Sequence, residues 1–204
     1  MPSHSDSRIA GPRLLVPLAP GFEEVEAVTI IDVLRRAEVE VVVAGLEPGL
    51  ITGSHGIAIQ PDAALGDLDL DSFEALVLPG GLPGTDHLEA DERIVRLTQR
   101  LAGEGAPTAA ICAAPRVLHT AGVIEGREVT SHPSVRGLLD GAIAVHAPAV
   151  VKSGAVTTSQ GVGTALAFAL SLVADFRGVE RARQLGEAMV VDPRDWPSSG
   201  NDGA

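Results

Sequence analysis

The chain has 204 residues with 27 acidic against 15 basic side chains, a formal net charge of −12, and a single lysine, Lys152. This is length enough for one well-packed domain, and the acidic balance leaves no basic cluster to displace counterions from a phosphate backbone. Aromatics at 2 % offer no stacking platform for bases, and the longest apolar runs, such as residues 39–44, are too short to cross a bilayer, so neither nucleic-acid binding nor membrane insertion is expected.

In chain order, residues 1–12 are polar and mixed and read as a disordered arm. They lack a charged start followed by an apolar stretch and a cleavage site, which makes a cytoplasmic address the expectation. Residues 14–18, 39–44, 75–78 and 108–111 read as strands buried on both faces, and residues 23–37, 90–103, 114–121 and 162–176 carry apolar positions at helical spacing. Residues 56–60 and 150–158 read as hairpin or edge strands beside the same sheet, with turns at 53–56 and 153–155. Residues 192–204 form a Pro/Ser/Gly-rich stretch read as a flexible tail, leaving 13–191 as one domain without an internal repeat. Strands alternating with helices predict an α/β fold, a mostly parallel sheet with helices on both faces. Sites in such sheets gather at the carboxyl ends of the strands, here the loops after Leu18, Leu78, Ile111 and Thr158.

Those loops hold the residues with chemical potential. Cys112, the only cysteine, sits in AAICAAP between a strand and a helix, where small neighbours permit a tight turn and helix-terminal N–H groups would favour thiolate. Set against this, a lone cysteine after a β-like run is ordinarily a small buried hydrophobe. One cysteine also excludes an internal disulfide. In PGFEEVEAV, Glu23 and Glu24 complement a helix dipole, whereas Glu26 lies among apolar neighbours and can turn inward. A carboxyl buried there would be protonated and able to donate to sulfur. The glycines of LPGGLPG, Gly80 and Gly81, let backbone N–H groups approach an oxyanion, although a bare GG turn can equally be a chain reversal. His132, in TSHP, offers an imidazole near the same rim or simply a surface hydrogen bond. None of the six histidines has a metal-ligand spacing with Cys112 or a carboxylate motif, so no metal site is expected. The hydroxyls of TTSQG, 157–161, could cap the following helix or line the pocket.

Taken together, LAPGFEEVEAVTIIDVLRRA, VLPGG, AAICAAP, TSHP and TTSQGVGTALAFAL occur in the order and spacing of the ThiJ/PfpI superfamily, and the chain most closely resembles its branch containing DJ-one and YajL. The resemblance implies a flavodoxin-like three-layer sandwich, a homodimer and no cofactor. It also implies Cys112 as the reactive, easily oxidised cysteine, Glu26 as its protonated partner, His132 as a neighbouring histidine, and Gly81 and Ala113 as the residues whose amides bind an anion. Asp32 and Arg36 match a helix that helps to build the dimer interface in relatives. Ala113 stands where the peptidase-like branch has a histidine, so peptidase activity is disfavoured; His55 stands where relatives commonly carry an arginine, and Val162 where many have a proline. The implied function is glyoxalase- or deglycase-type hydrolysis of reactive dicarbonyls or of the adducts they form with amines, converting methylglyoxal to lactate. The alternative is a non-catalytic sensor of oxidative stress, or a redox-regulated chaperone, acting through Cys112 sulfinate.

Overall fold

The computed structural model describes residues 11–197. The elements are β1 (Arg13–Leu18), α1 (Glu24–Arg36), β2 (Glu40–Gly45), β3 (Ile51–Thr52), β4 (Ala58–Ile59), β5 (Ala63–Ala64), β6 (Ala75–Leu78), α2 (Gly84–Ala90) and α3 (Glu92–Gly103). They continue with β7 (Thr108–Ile111), α4 (Pro115–Thr120), β8 (Glu128–Val129), β9 (Ile143–Ala144), β10 (Val150–Ser153), β11 (Val156–Ser159), α5 (Ala165–Arg177) and α6 (Val179–Ala188). Seven strands form one sheet in the order β10-β11-β7-β6-β1-β2-β5, parallel throughout except for the β10–β11 hairpin at one edge.

Alternation along the strands divides the core into two layers. Leu14, Val16 and Leu18 of β1 and Val77 of β6 pack with Ile30, Val33 and Leu34 of α1 and Phe168 and Leu172 of α5. Leu15, Leu76 and Leu78 face the other way, onto Leu88 of α2, Ile94 and Leu97 of α3 and Val117 and Leu118 of α4. The central strands carry apolar side chains on both faces because both faces are covered by helices. This is the expected mostly parallel α/β sandwich.

Four details differ from the sequence reading. Residues 58–59 pair with 51–52 in a separate two-stranded ribbon rather than beside the main sheet. The segment before residue 90 is already helical: α2 has only Leu88 as a large buried side chain, too little to register as a period, and Asp91 then ends it and caps α3. A sixth helix, α6, follows α5 directly and buries Ala182, Leu185 and Gly186. Residues 192–197, expected within the flexible tail, include a 3-10 turn at Pro193–Asp195 and a docked Trp196, whose Nε1 donates to Val191 O at 3.2 Å. An ideal Cβ on Gly186 would stand 2.6 Å from that nitrogen, so this seat needs glycine. The rest of the expected arm, 1–10, and of the tail, 198–204, lies outside the described residues.

Candidate active site

The chain leaves β1 on one side of the sheet to make α1 and β2, and β6 lies on β1's other flank, so the loops after β1 and β6 diverge from a topological switch point. Glu26 follows β1, Gly80 and Gly81 follow β6, Cys112 follows β7 and Gly161 follows β11, at the carboxyl ends of four adjacent strands.

Cys112 occupies the step between β7 and α4 with φ of 64°, in the left-handed region that L-residues other than Asn and Asp seldom adopt. Its backbone is held there from both sides: its N–H donates to Ser159 O at 3.1 Å, and its carbonyl accepts from His132 N at 2.8 Å. The N–H groups of Gly81 and Ala113 act on the half-buried thiol and favour its ionised form. Gly81, at φ 95°, could not carry a side chain, because an ideal Cβ would lie 2.3 Å from Glu23 N. The helix terminus anticipated beneath the sulfur contributes less than expected. α4 is only six residues long and opens on Pro115, which has no N–H, so the donors are Ala113 and the neighbouring loop's Gly81.

Glu26 is fully buried in the first turn of α1. Its Oε2 accepts from Gly80 N at 2.9 Å, while Oε1 lacks a well-formed hydrogen bond within the described residues. Burial, with the charge of Glu23 adding to it, pushes the carboxyl up to about 7 against the lowering effect of Gly80 N–H and of Cys112. Burial and then the charge of Glu26 push the thiol up to about 12, opposed by the Gly81 and Ala113 amides. The expectation of a thiolate favoured by its helix therefore needs amendment. With Glu26 ionised, the sulfur keeps its proton; with Glu26 protonated, the repulsion is gone and the amides remain. Above about pH 7 the pair holds one proton, on sulfur when Glu26 is ionised and on the carboxyl when the sulfur is thiolate; below it both groups are protonated. An ideal Cβ on Gly161 would lie 3.6 Å from His132 Cδ2, 3.9 Å from Glu26 Oε1 and 4.0 Å from Cys112 Sγ, which gathers these groups around one small space.

Two expected residues sit differently from the sequence reading. Gly80 N–H is engaged by Glu26, so Gly80 positions the carboxyl rather than facing an oxyanion, and an ideal Cβ there would stand 2.6 Å from Cys112 Cβ. His132 is exposed, and its Nδ1 accepts from Ser134 N at 3.2 Å with Ser134 Oγ at 2.8 Å. Its backbone, rather than its ring, bonds to Cys112.

Glu23 and Glu24 do more than complement a dipole. Glu23 caps α1, its Oε2 accepting from Glu26 N at 2.7 Å. Glu24, 3 % exposed, accepts from His55 N at 2.6 Å, Ile57 N at 3.3 Å and Ser54 Oγ at 3.3 Å, and meets His55 Nδ1 at 3.0 Å. Burial opposes ionisation of Glu24, yet the His55 bonds and backbone donors outweigh it and hold the carboxyl at about 2. Sequence spacing had no means of pairing these glutamates with a histidine some thirty positions on.

The sequence profile of the DJ-1/PfpI family matches residues 12–175. Protein dj-1beta of Drosophila melanogaster is 40% identical over 179 residues, spanning 87% of this chain and 96% of that protein. Deglycase PfpI of Pyrococcus furiosus is 36% identical over 124 residues, 61% of this chain and 74% of that protein. The crystal structure of Drosophila melanogaster DJ-1beta superposes with a TM-score of 0.85 at 39% identity, covering 88% of this chain and 97% of that one. Oxidized DJ-1 of Toxoplasma gondii superposes with a TM-score of 0.82 at 31% identity, covering 87% of this chain and 97% of that one.

Proposed function

The chain belongs to the DJ-1/PfpI family, and from that premise we propose that it is a cysteine-dependent enzyme acting on small reactive dicarbonyls or their early adducts with amines. The observation that carries this reading is the meeting of Cys112, Glu26 and the Gly81 and Ala113 amides at one point. Relatives named deglycases, that of Pyrococcus furiosus among them, support it.

In this reading the Cys112 thiolate adds to the aldehyde carbon of methylglyoxal, the carbonyl π pair moves to oxygen, and the Gly81 and Ala113 N–H groups donate to the oxyanion. Glu26 gives and takes protons as the hydrogen on the former aldehyde carbon moves to its neighbour, leaving a lactoyl thioester. Water then cleaves the thioester to lactate and returns the thiol. Methylglyoxal plus water gives lactate with no external oxidant. In an early amine adduct, a hemiaminal, the thiolate forms the C–S bond as the C–N bond breaks, and the amine leaves with a proton from Glu26, giving the same hemithioacetal. Ala113 follows the nucleophile, so no adjacent imidazole completes a peptidase triad.

The experiment is lactate production from methylglyoxal by the wild type, Cys112→Ser and Glu26→Gln at matched folding. Activity lost in Cys112→Ser and reduced roughly 100-fold or more in Glu26→Gln is expected for a general acid–base pair; equal rates in all three would sink the enzyme reading.

A second reading rests on the half-buried single thiol with two amides directed at it, which suit the oxygens of a sulfinate, with a protonated Glu26 as further donor. Here oxidation is one event per chain rather than a turnover. We also propose a homodimer. Val25 and Val28 of α1 are about half exposed, at 50% and 49%, and Ile31 and Ile59 line a groove beside Val28, next to the exposed Asp32–Arg36 pair.

A further inference from the structure

Beyond the thiol site, one cluster combines ligating side chains from two separate segments. Glu23, Glu24 and His55 each offer one ligand atom, and these atoms all lie within 4.8 Å of one another. His55 Nδ1 is 3.0 Å from Glu24 Oε2 and 4.0 Å from Glu23 Oε1. A tetrahedral zinc site with bonds of about 2.0–2.2 Å sets its donors roughly 3.3–3.6 Å apart, a spacing that these two separations bracket.

The cluster is more than a collection of surface acids. The residues Glu23 and Glu24 are 7% and 3% exposed, and adjacent buried carboxylates repel unless a cation lies between them. Among the described residues their ion-pair partner is His55, a cation only when protonated. Glu23 uses Oε2 to cap α1, while its Oε1, on a side chain nine-tenths buried, accepts no hydrogen bond among the described residues and faces His55. A second carboxylate oxygen thereby stands toward the imidazole nitrogen that Glu24 already meets. The backbone holds the ligands in place: Glu23 N donates to Gly80 O at 2.9 Å, Ser54 N to Phe22 O at 2.8 Å, and His55 N to Glu24 Oε1 at 2.6 Å. The His55 side chain is 72% exposed, which leaves an approach from solvent and an open position for water.

We propose that Glu23, Glu24 and His55 form a binding site for a divalent transition metal of the zinc class. One nitrogen and two oxygen donors suit zinc better than magnesium or calcium, which select oxygen ligands alone. Two carboxylates neutralise the ion's charge, and on binding the ion replaces any proton on His55 Nδ1, which leaves to solvent.

The test uses equilibrium dialysis against zinc chloride with elemental analysis, in the full chain carrying Cys112→Ser so that the thiol cannot act as a ligand. One zinc per chain is expected, with affinity reduced roughly tenfold or more by His55→Ala and by Glu23→Gln, and undisturbed by millimolar magnesium. His55 lies on an exposed loop, so His55→Ala remains informative even if Glu23→Gln impairs folding through loss of its cap. Cobalt in place of zinc should give visible absorption bands that disappear in His55→Ala. Uptake below one equivalent, unchanged affinity in folded His55→Ala, or displacement by magnesium would each overturn the site and would mark the ion as a loose counterion of an acidic chain. Dicarbonyl turnover is measured separately, so loss of either proposal leaves the other standing.

Discussion

Glu26 is the residue whose ionisation most directly ties folding to chemistry. Its carboxyl sits at about 7 in the fold against an ordinary 4.5, so the folded state binds this proton more tightly than the unfolded chain does. The stabilisation is complete below about pH 4.5 and is lost as pH rises through about 7, on the order of 3 kcal/mol in all. Glu26→Gln cannot ionise and keeps the burial, so its stability relative to wild type should improve by that order between about pH 4.5 and about pH 8. Urea unfolding at the two pH values, with chelator present, measures this; parallel wild-type and variant curves would refute it. Glu24, at about 2, has the opposite sign, stabilising above its ordinary pKa and losing that stabilisation as pH falls toward about 2. Glu26 was legible in the sequence as an acid among valines and alanines, because helical spacing turns it inward. Gly80's role was not legible, since only coordinates reveal which of two adjacent amides meets the carboxylate and which the sulfur.

At the scale of elements, Glu24 joins α1 to the β3–β4 ribbon. That ribbon is a pair of two-residue strands, too short to stand alone, and its connecting segment hangs on Glu24 through the amides of His55 and Ile57. Gly53 permits this closeness, for an ideal Cβ there would stand 2.4 Å from Glu24 Cδ. Glu24→Gln should loosen the segment while leaving the sheet intact. Hydrogen exchange at His55 and Ile57 should speed up roughly tenfold or more, consistent with about 1.5–3 kcal/mol for hydrogen bonds to a charged group. Unchanged protection at those amides would remove the clamp. Elements whose side chains supply their own periodicity, β1, β6, β7 and most of α1 and α5, could be read from the sequence to within a few residues. α2, with one large buried apolar residue, and α6, whose buried set includes Gly186, leave too faint a pattern. Alternation marks residues 56–60 as a hairpin or edge strand but does not name the partner, which is residues 51–52 rather than the main sheet.

Across the whole molecule, the sheet order brings Glu26, Gly81, Cys112 and Gly161 together although they span well over half the chain. The strand-end loops were therefore readable in advance, while the Glu23–Glu24–His55 grouping, which depends on where the ribbon folds back, was not. Val28, 49% exposed beside Ile31 and Ile59, belongs to the face proposed for the dimer. Light scattering should give twice the 20.9 kDa chain mass for wild type, falling to the single mass in Val28→Arg. A monomeric wild type, or a variant still at double mass, would refute that assignment.

The docked Trp196 has an optical corollary. It is the only tryptophan in a chain without tyrosine, and it lies against Gly186 of α6 and packs on the core layer of α1 and α5. Intrinsic emission from this protein is therefore a local signal. Fluorescence and far-ultraviolet dichroism midpoints that differ would separate release of the C-terminal segment from melting of the sheet and helices, and coincident midpoints would show that Trp196 unfolds with the core it packs on.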